Sequence, residues 1–497
     1  MLLKKKQIAG LLVSIMMLSS CSDYLDLVPD DRLATIEYAF AMRSEAKKYL
    51  YTCYSYMPRN NRTTAPEFLG GDEYGLLLSS VATSSIFDGT FRIARGLQNA
   101  ANPVDDDWEK MYQALRVCNV FLENVESVPD MINEEEREHW TGEVLFLKAF
   151  YHFHLVRKWG PVPIIRDNLP ITADVDEVRV SRNTVDECFA HIVGLLDEAI
   201  PLLPLGVESP SQDLGRITRP IASAFKAKVL VYAASPLFNN NDDQSTLRNH
   251  DGTPLFATGL SAEEEIAKWN SAVTACREAI LLCHETNHRL FEFPSASNWS
   301  DTIKREMNIR GSVTYKFSNT EQIWVNTQTT SDDINNIQLA SMQNVDKDLY
   351  PDNYVISASL CPALKIVQQY HTSHGIPIEE DRDWQGVDLL ALRAGDDAHL
   401  YYIRKDYTTV QQNFDREPRF YAHLGFDGGI WFRQKESVLG TDPGVYKHVE
   451  NQPGKPRSPW DGYTGYYSKK LVHYEKMAAN NAGSTTTADY LWPLMRL

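Results

Sequence analysis

The sequence predicts a mainly α-helical chain: a scaffold of paired helices, then a loop-rich irregular region carrying a few short strands. Three observations lead there. Trp140, Val144, Leu147, Tyr151 and Leu155 recur at i, i+4, i+7, i+11 and i+15, which places them on one face of a helix. Comparable runs follow one another through the first half of the chain, separated by Gly and Pro stops. Beyond residue 285 the helical period fails and Gly, Pro, Asn and Asp become frequent.

The chain opens with Lys4, Lys5 and Lys6, an apolar run from Ile8 to Leu18, and then Leu18-Ser19-Ser20-Cys21. A basic start, a short apolar stretch and small residues before a cut site make a secretory signal over 1–20. The run falls short of the roughly 20 residues that a membrane-spanning helix requires. Leu-small-small-Cys resembles a bacterial lipobox, so Cys21 is the expected lipidation site and 21–34 a lipidated tether. Several acyl chains on one Cys hold stably, because each buried CH₂ adds about 0.8 kcal/mol.

A helical-repeat scaffold is expected over 35–284. Its first helix runs from about Ile36 to Met57, and 58–106, rich in Gly, Ser, Thr and Asn, reads as a long loop excursion. Asp105-Asp106-Asp107 reads as an N-cap and acidic first turn for a helix starting at Trp108. The helix through Trp140 stops at Gly160-Pro161. Further helices are expected over Val185–Leu203, Ile217–Ala234 and Glu263–Cys283, the second of them Ala-rich so that neighbours approach closely. Helix pairs in succession look like degenerate tetratricopeptide-type repeats. Ser312–Phe317 and Glu321–Asn326 read as short strands within a loop-rich ligand-binding region over 285–497. Trp108, Trp140, Trp159, Trp269, Trp324 and Trp431 sit in regular patterns and read as core.

Composition narrows the function. Lys+Arg total 49 against Asp+Glu 66, and loss of Lys4, Lys5 and Lys6 with the signal moves the formal charge from −17 to −20. An acidic chain lacks the basic footprint that nucleic acid demands, and has no polybasic patch for a membrane surface, so the lipid must anchor it. Of 7 cysteines, those other than Cys21 show no CxxC spacing and read as buried free thiols.

Few motifs carry chemistry. His284-Glu285-Thr286-Asn287-His288 is a literal H-E-x-x-H, which on a helix would present two imidazoles to zinc with a glutamate base, and Glu306 is a conceivable third ligand. Thr286 and Asn287 are weak helix formers, however, and Asn287 reads as a C-cap, so a surface turn is the expectation and a secreted zinc hydrolase the alternative. His152 and His154, two apart, fall on different helix faces. The acid run Glu379, Glu380, Asp381 and Asp383 lacks calcium-loop spacing and reads as a solvated loop. No nucleophile elbow or P-loop is present, and no metal or cofactor is expected. Sugar binding needs flat apolar faces rimmed by polar groups. The loop aromatics with polar neighbours are Tyr74, Trp299, Trp384, Trp460 and Tyr463, and these are the ligand-binding candidates.

Four segments together resemble the SusD/RagB family of surface nutrient-binding lipoproteins: the start Cys21-Ser22-Asp23-Tyr24-Leu25-Asp26-Leu27-Val28-Pro29; LKAFYHFHLVRKWGPVPII at 147–165, with Lys148 in place of the family's Arg; GRITRPIASAFKAKVLVYAASPLFN at 215–239; and DREPRFYAHLGFDG at 415–428. The resemblance implies a tetratricopeptide-like scaffold whose loop-rich region holds the ligand. It also implies an outer-membrane location, lipid-anchored and facing the exterior, as a lid over a TonB-dependent, SusC-like barrel transporter. The ligand would be an oligosaccharide or, in a peptide-binding branch, a peptide, captured without covalent change and so without enzymatic activity. In the family an Arg-Leu like Arg496-Leu497 opens a further helix, so the resemblance implies a C-terminally truncated chain with an exposed apolar groove.

Overall fold

Six long helices follow one another up to Glu285 in the computed structural model: α1 (Arg43–Ser55), α2 (Trp108–Asn124), α3 (Glu134–Trp159), α4 (Val185–Leu202), α5 (Arg219–Ala234) and α6 (Ala262–Glu285). The structure describes residues 36–59, 70–75, 92–170, 172–294, 299–316, 318–328, 330–342, 360–431, 447–448, 464–476 and 488–497. Successive helices pack on each other, α2 on α3, α3 on α4, α4 on α5 and α5 on α6, the sequential stacking of helical repeats, while α1 packs on both α2 and α3. Local chemistry sets their starts. Thr184 with Glu187 and Ser261 with Glu264 form capping boxes at α4 and α6, and the Asn133 side chain accepts from Glu135 N–H at α3.

Asp107 occupies the N-cap position of α2 as expected, but its carboxylate does not cap. It reaches across to α3 instead, 2.7 Å from His154 Nε2 and 3.1 Å from Lys158 Nζ. The expected first helix is also broken. A short turn over Ile36–Ala39 ends before α1, because Met42 is extended (φ −145°, ψ 147°) and Phe40 turns inward against Tyr49 and Phe121, with ring centroids 5.1 and 5.8 Å away.

The core runs through the aromatic faces of α3 and α5. Phe146, Phe150 and Phe225 meet Trp324 with centroids 5.4, 5.6 and 6.4 Å away, mostly edge to face. Trp140, Trp324 and Trp431 are buried, and Trp108 packs edge-on to Trp159 at 5.4 Å. Trp269 departs from the core reading and is 43% exposed. Helix α6 buries Ala272, Ala275, Ala279 and Cys283 against α5, which turns Ile266, Trp269, Val273 and Ile280 outward. The small residues won the contact because they let α6 approach α5 closely. Cys53, Cys118, Cys188, Cys283 and Cys361 are buried free thiols and Cys276 is half-buried.

Later elements are shorter. Residues Asp301–Thr314 form α7, so the strand expected over Ser312–Phe317 is corrected to a helix end. Ser300 caps it by accepting from Ile303 N–H, and Asn319 Nδ2 closes it on the carbonyls of Gly311, Ser312 and Tyr315 at 3.0, 3.2 and 3.2 Å. The β-branched pair Val313-Thr314 suggested a strand, but the caps and the buried Ile303 and Met307 face decide for helix. Ser331–Ser341 form α8. Gln322–Asn326 is a strand, as expected, and pairs antiparallel with Trp492–Arg496. Every sheet among the described residues has two strands.

Candidate ligand-binding site

The zinc-protease arrangement fails on backbone geometry. Helix α6 ends at Glu285, Asn287 takes the left-handed conformation (φ 65°), and the carbonyls of His284 and Cys283 accept from Asn287 N–H (3.2 Å) and His288 N–H (2.8 Å). That is a Schellman ending, so His284 and His288 do not share a helical face. Glu306 is committed elsewhere, 2.6 Å from Lys469 Nζ. His152 and His154 are both buried, one held by Lys148 O (2.8 Å) and the other by Asp107. Burial pushes His152 down to about 3, so it stays neutral.

The described aromatic candidates fall in different packing environments. Trp299 precedes α7 and is buried in a cluster with Phe291, Phe293 and Tyr474, stacked on Phe293 at 5.6 Å. Tyr74 lies on a two-residue strand paired with Cys361–Pro362, half-buried, with Ser468 Oγ 3.1 Å from its hydroxyl. Trp384 is buried in a 3₁₀ turn over Arg382–Trp384, flanked by exposed Asp383 and Gln385. Trp460, Tyr463 and Cys21 lie outside the described residues.

Arg416 organises the surroundings of Trp384, a role the sequence reading missed. Its guanidinium donates to the carbonyls of Val367 (3.1 Å), Tyr370 (2.6 Å), His371 (3.3 Å) and Gln412 (2.8 Å). It also lies over the rings of Phe420 (4.5 Å) and Trp384 (5.7 Å). Burial pushes this guanidinium down to about 10, still charged at neutral pH. One buried cation thus gathers the loop segments around 367–371 and 412 beneath the Trp384 ring. Its place in the DREPRF segment was the available signal.

The acid run is partly internal. Asp381 is buried and accepts from Thr372 Oγ1 (2.6 Å) and Asp383 N–H (3.0 Å), with His374 Nδ1 at 2.9 Å. The Thr372 hydrogen bond leads the causes that hold its carboxyl below the usual range. Donor atoms of His374, Asp381 and Asp383 lie within 4.8 Å of one another, a set able to hold a divalent cation. The bonds already made to Asp381 give it a sufficient role in closing the loop, where a fully solvated acid run was expected.

A second buried charge centre ties α7 to the last loops. Lys469 Nζ donates to the carbonyls of Tyr421 (2.9 Å) and Ile430 (2.8 Å) and pairs with Glu306, while Arg310 Nη2 donates to Val472 O at 3.3 Å. Burial pushes Lys469 down to about 8. Lys469 and Arg310 each lie 5.9 Å from the Trp431 ring.

The architecture is that of a helical-repeat protein whose later part is a loop assembly pinned by buried cations. Family models match on both sides: "SusD-like_3: Starch-binding associating with outer membrane" over residues 23–231, and "SusD_RagB: SusD family" over 320–497. The chain belongs to the SusD/RagB family. It is 30% identical to a SusD-like protein of Formosa agariphila over 127 residues, which is 25% of this chain and 23% of that protein, so the match spans about a quarter of the curated relative. Among solved structures it resembles BT4246, with a TM-score of 0.74, 24% identity, and coverage of 92% of this chain and 77% of that one. A SusD-like protein from Bacteroides fragilis NCTC 9343 gives a TM-score of 0.63 at 21% identity, over 92% of this chain and 73% of that one. Among the described residues no helix is long and apolar enough to cross a membrane.

Proposed function

We propose that this protein is a nutrient-binding surface lipoprotein that captures an oligosaccharide and passes it, unaltered, to a TonB-dependent barrel transporter. The observation that carries the reading is family membership, with one matching family model described as starch-binding and associating with the outer membrane. The loop chemistry supports it: Trp384 sits on an Arg416-pinned floor, with exposed Asp383, Gln385 and His374 beside it as groups for sugar hydroxyls. Trp460 and Tyr463 with their polar neighbours, Tyr74 and Trp299 complete the aromatic set. Lipidation at Cys21 and a tether to residue 34 would hold the protein on the outer face of the membrane. The test is binding of the purified chain to a glycan panel and a peptide panel, repeated with Trp384→Ala, Trp460→Ala and Trp299→Ala. Binding of an oligosaccharide, weakened in at least one variant and with the sugar recovered intact, is expected. Binding to peptides alone moves the protein to the family's peptide branch, and binding to neither sinks the proposal.

A further inference from the structure

Two cysteines from different helices meet inside the scaffold. Cys53 lies near the end of α1 and Cys118 within α2. Both are fully buried in one core, and the structure holds both as thiols. Their side chains are hydrogen-bonded to each other, and Cys53 Sγ also lies 3.9 Å from the carbonyl of Val117, the residue before Cys118. Helix α3 backs the pair. Tyr151 donates its hydroxyl to the Cys53 carbonyl at 2.5 Å, and Tyr49 and Tyr151 both stand close to the two sulfurs. Cys188, by contrast, turns its thiol to the Val162 carbonyl at 3.4 Å. Distance and poor side-chain direction are the usual obstacles to bridging two cysteines, and a pair already in contact has overcome the first. A cross-link here has a structural use. Helix α1 begins the array and packs on α2 and α3, and the bond would close the long excursion between α1 and α2 into a loop.

We propose that Cys53 and Cys118 form a disulfide that staples α1 to α2, made as the chain folds and then sealed in the core. One cysteine, as its thiolate, attacks a sulfur of a disulfide donor, giving a mixed disulfide and releasing one donor thiolate. The other cysteine, as its thiolate, then attacks the protein sulfur and expels the second donor thiolate. Two protons leave the cysteines, and two electrons reduce the donor to two thiols. The donor is a thiol–disulfide oxidoreductase of an oxidising compartment, or oxidised glutathione in the tube. Order matters. In the folded chain the hydrogen bond between the thiols and burial hold Cys53 well above the ordinary thiol range, so the exchange belongs to the stage before α1 closes on α2.

The test refolds the full chain from urea with oxidised glutathione, blocks the remaining thiols with N-ethylmaleimide and digests with trypsin without reductant. Peptides 49–59 and 117–137 each carry one cysteine. They are expected joined, lighter by two hydrogens than the free peptides together. A chain that does not regain its helical circular dichroism is instead treated, natively folded, with the same reagent in urea below its midpoint and read the same way. The oxidised chain is expected to unfold at a higher urea concentration than the reduced one, and Cys53→Ala with Cys118→Ala to erase the difference. Recovery of both peptides carrying maleimide or glutathione, a bond from either to another cysteine, or an oxidised chain no more resistant to urea overturns the proposal. Because the donor is supplied in the tube, the result stands apart from the secretory and glycan readings.

Discussion

Removing Arg216 should be among the most damaging single changes in the helical scaffold. Its Nε and Nη2 reach the two oxygens of Glu143 at 3.1 and 2.5 Å, and its Nη1 lies 3.1 Å from Asp213. Tyr54 of α1 donates its hydroxyl to the same Glu143 and accepts from Ile217 N–H at 3.0 Å, so one buried carboxylate joins α1, α3 and the entry to α5. Burial pushes the Glu143 carboxyl up, with Arg216 and Tyr54 pulling against it. Burial alone would lower the Arg216 guanidinium, but Glu143 more than reverses this. Arg216→Met leaves a charge 2% exposed with its main partner gone, a change that costs about 3 to 5 kcal/mol. Adding Glu143→Leu removes the orphan and should recover most of that loss, because apolar groups of similar volume replace buried pairs at little cost. The sign with pH follows from a raised carboxyl: the folded state binds the proton more tightly than the unfolded state, so stability falls as pH rises. The Arg216→Met penalty should therefore be smaller near pH 5 than near pH 7. Urea midpoints by far-ultraviolet circular dichroism read all three. A single-variant cost below about 1 kcal/mol, or a double variant no better than the single, would refute the reasoning.

Three other outcomes are expected. Gly215→Ala should cost about 1 to 3 kcal/mol by thermal melting, since Gly215 has φ +89° and an added Cβ would meet Thr327 Cγ2 at 2.5 Å. Gly311→Ala should also destabilise despite the better helix propensity of alanine, because its Cβ would lie 2.4 Å from Phe291 Cε1, and Phe291→Ala in the same chain should relieve the clash. His152 and His423 are both held down to about 3 by burial, so their neutral forms stabilise the fold above the ordinary histidine range, and stability should fall as pH drops from about 6.5 toward 3; if His152→Gln leaves the acid limb of the stability curve unchanged, that residue does not contribute to it.

The helices were legible because each repeats an apolar face and carries its own stops. Val185–Leu202 and Arg219–Ala234 fall within a residue or two of the expected bounds for that reason. The misreadings share a cause that no local pattern reveals. The i, i+4 series of α6 gives two faces, one of Ala and Cys and one of Ile, Trp and Val, and only the approach of α5 shows that the small face is the buried one. Asp107 has the residue type and position of a cap, yet His154 and Lys158, far along the chain, claim its carboxylate. Phe40 ends a helix that its neighbours would have continued, because Phe121 offers it a place in the core.

The loop region was harder to read for a physical reason: its fixed points are buried cations bonded to carbonyls. Arg416 and Lys469 hold segments together through main-chain oxygens, an acceptor that every residue carries and no sequence pattern marks. Aromatic side chains could be named from their polar neighbours, but the same neighbours surround a packed anchor and an open platform. Trp299 stacks on Phe293 while Trp384 rests above Arg416 beside exposed polar groups. Both rings are nonetheless 8% exposed, so each is a packed anchor in this structure. Withdrawing the Arg416 clamp should loosen the floor beneath Trp384, while Trp299 keeps its own cluster of Phe291, Phe293 and Tyr474.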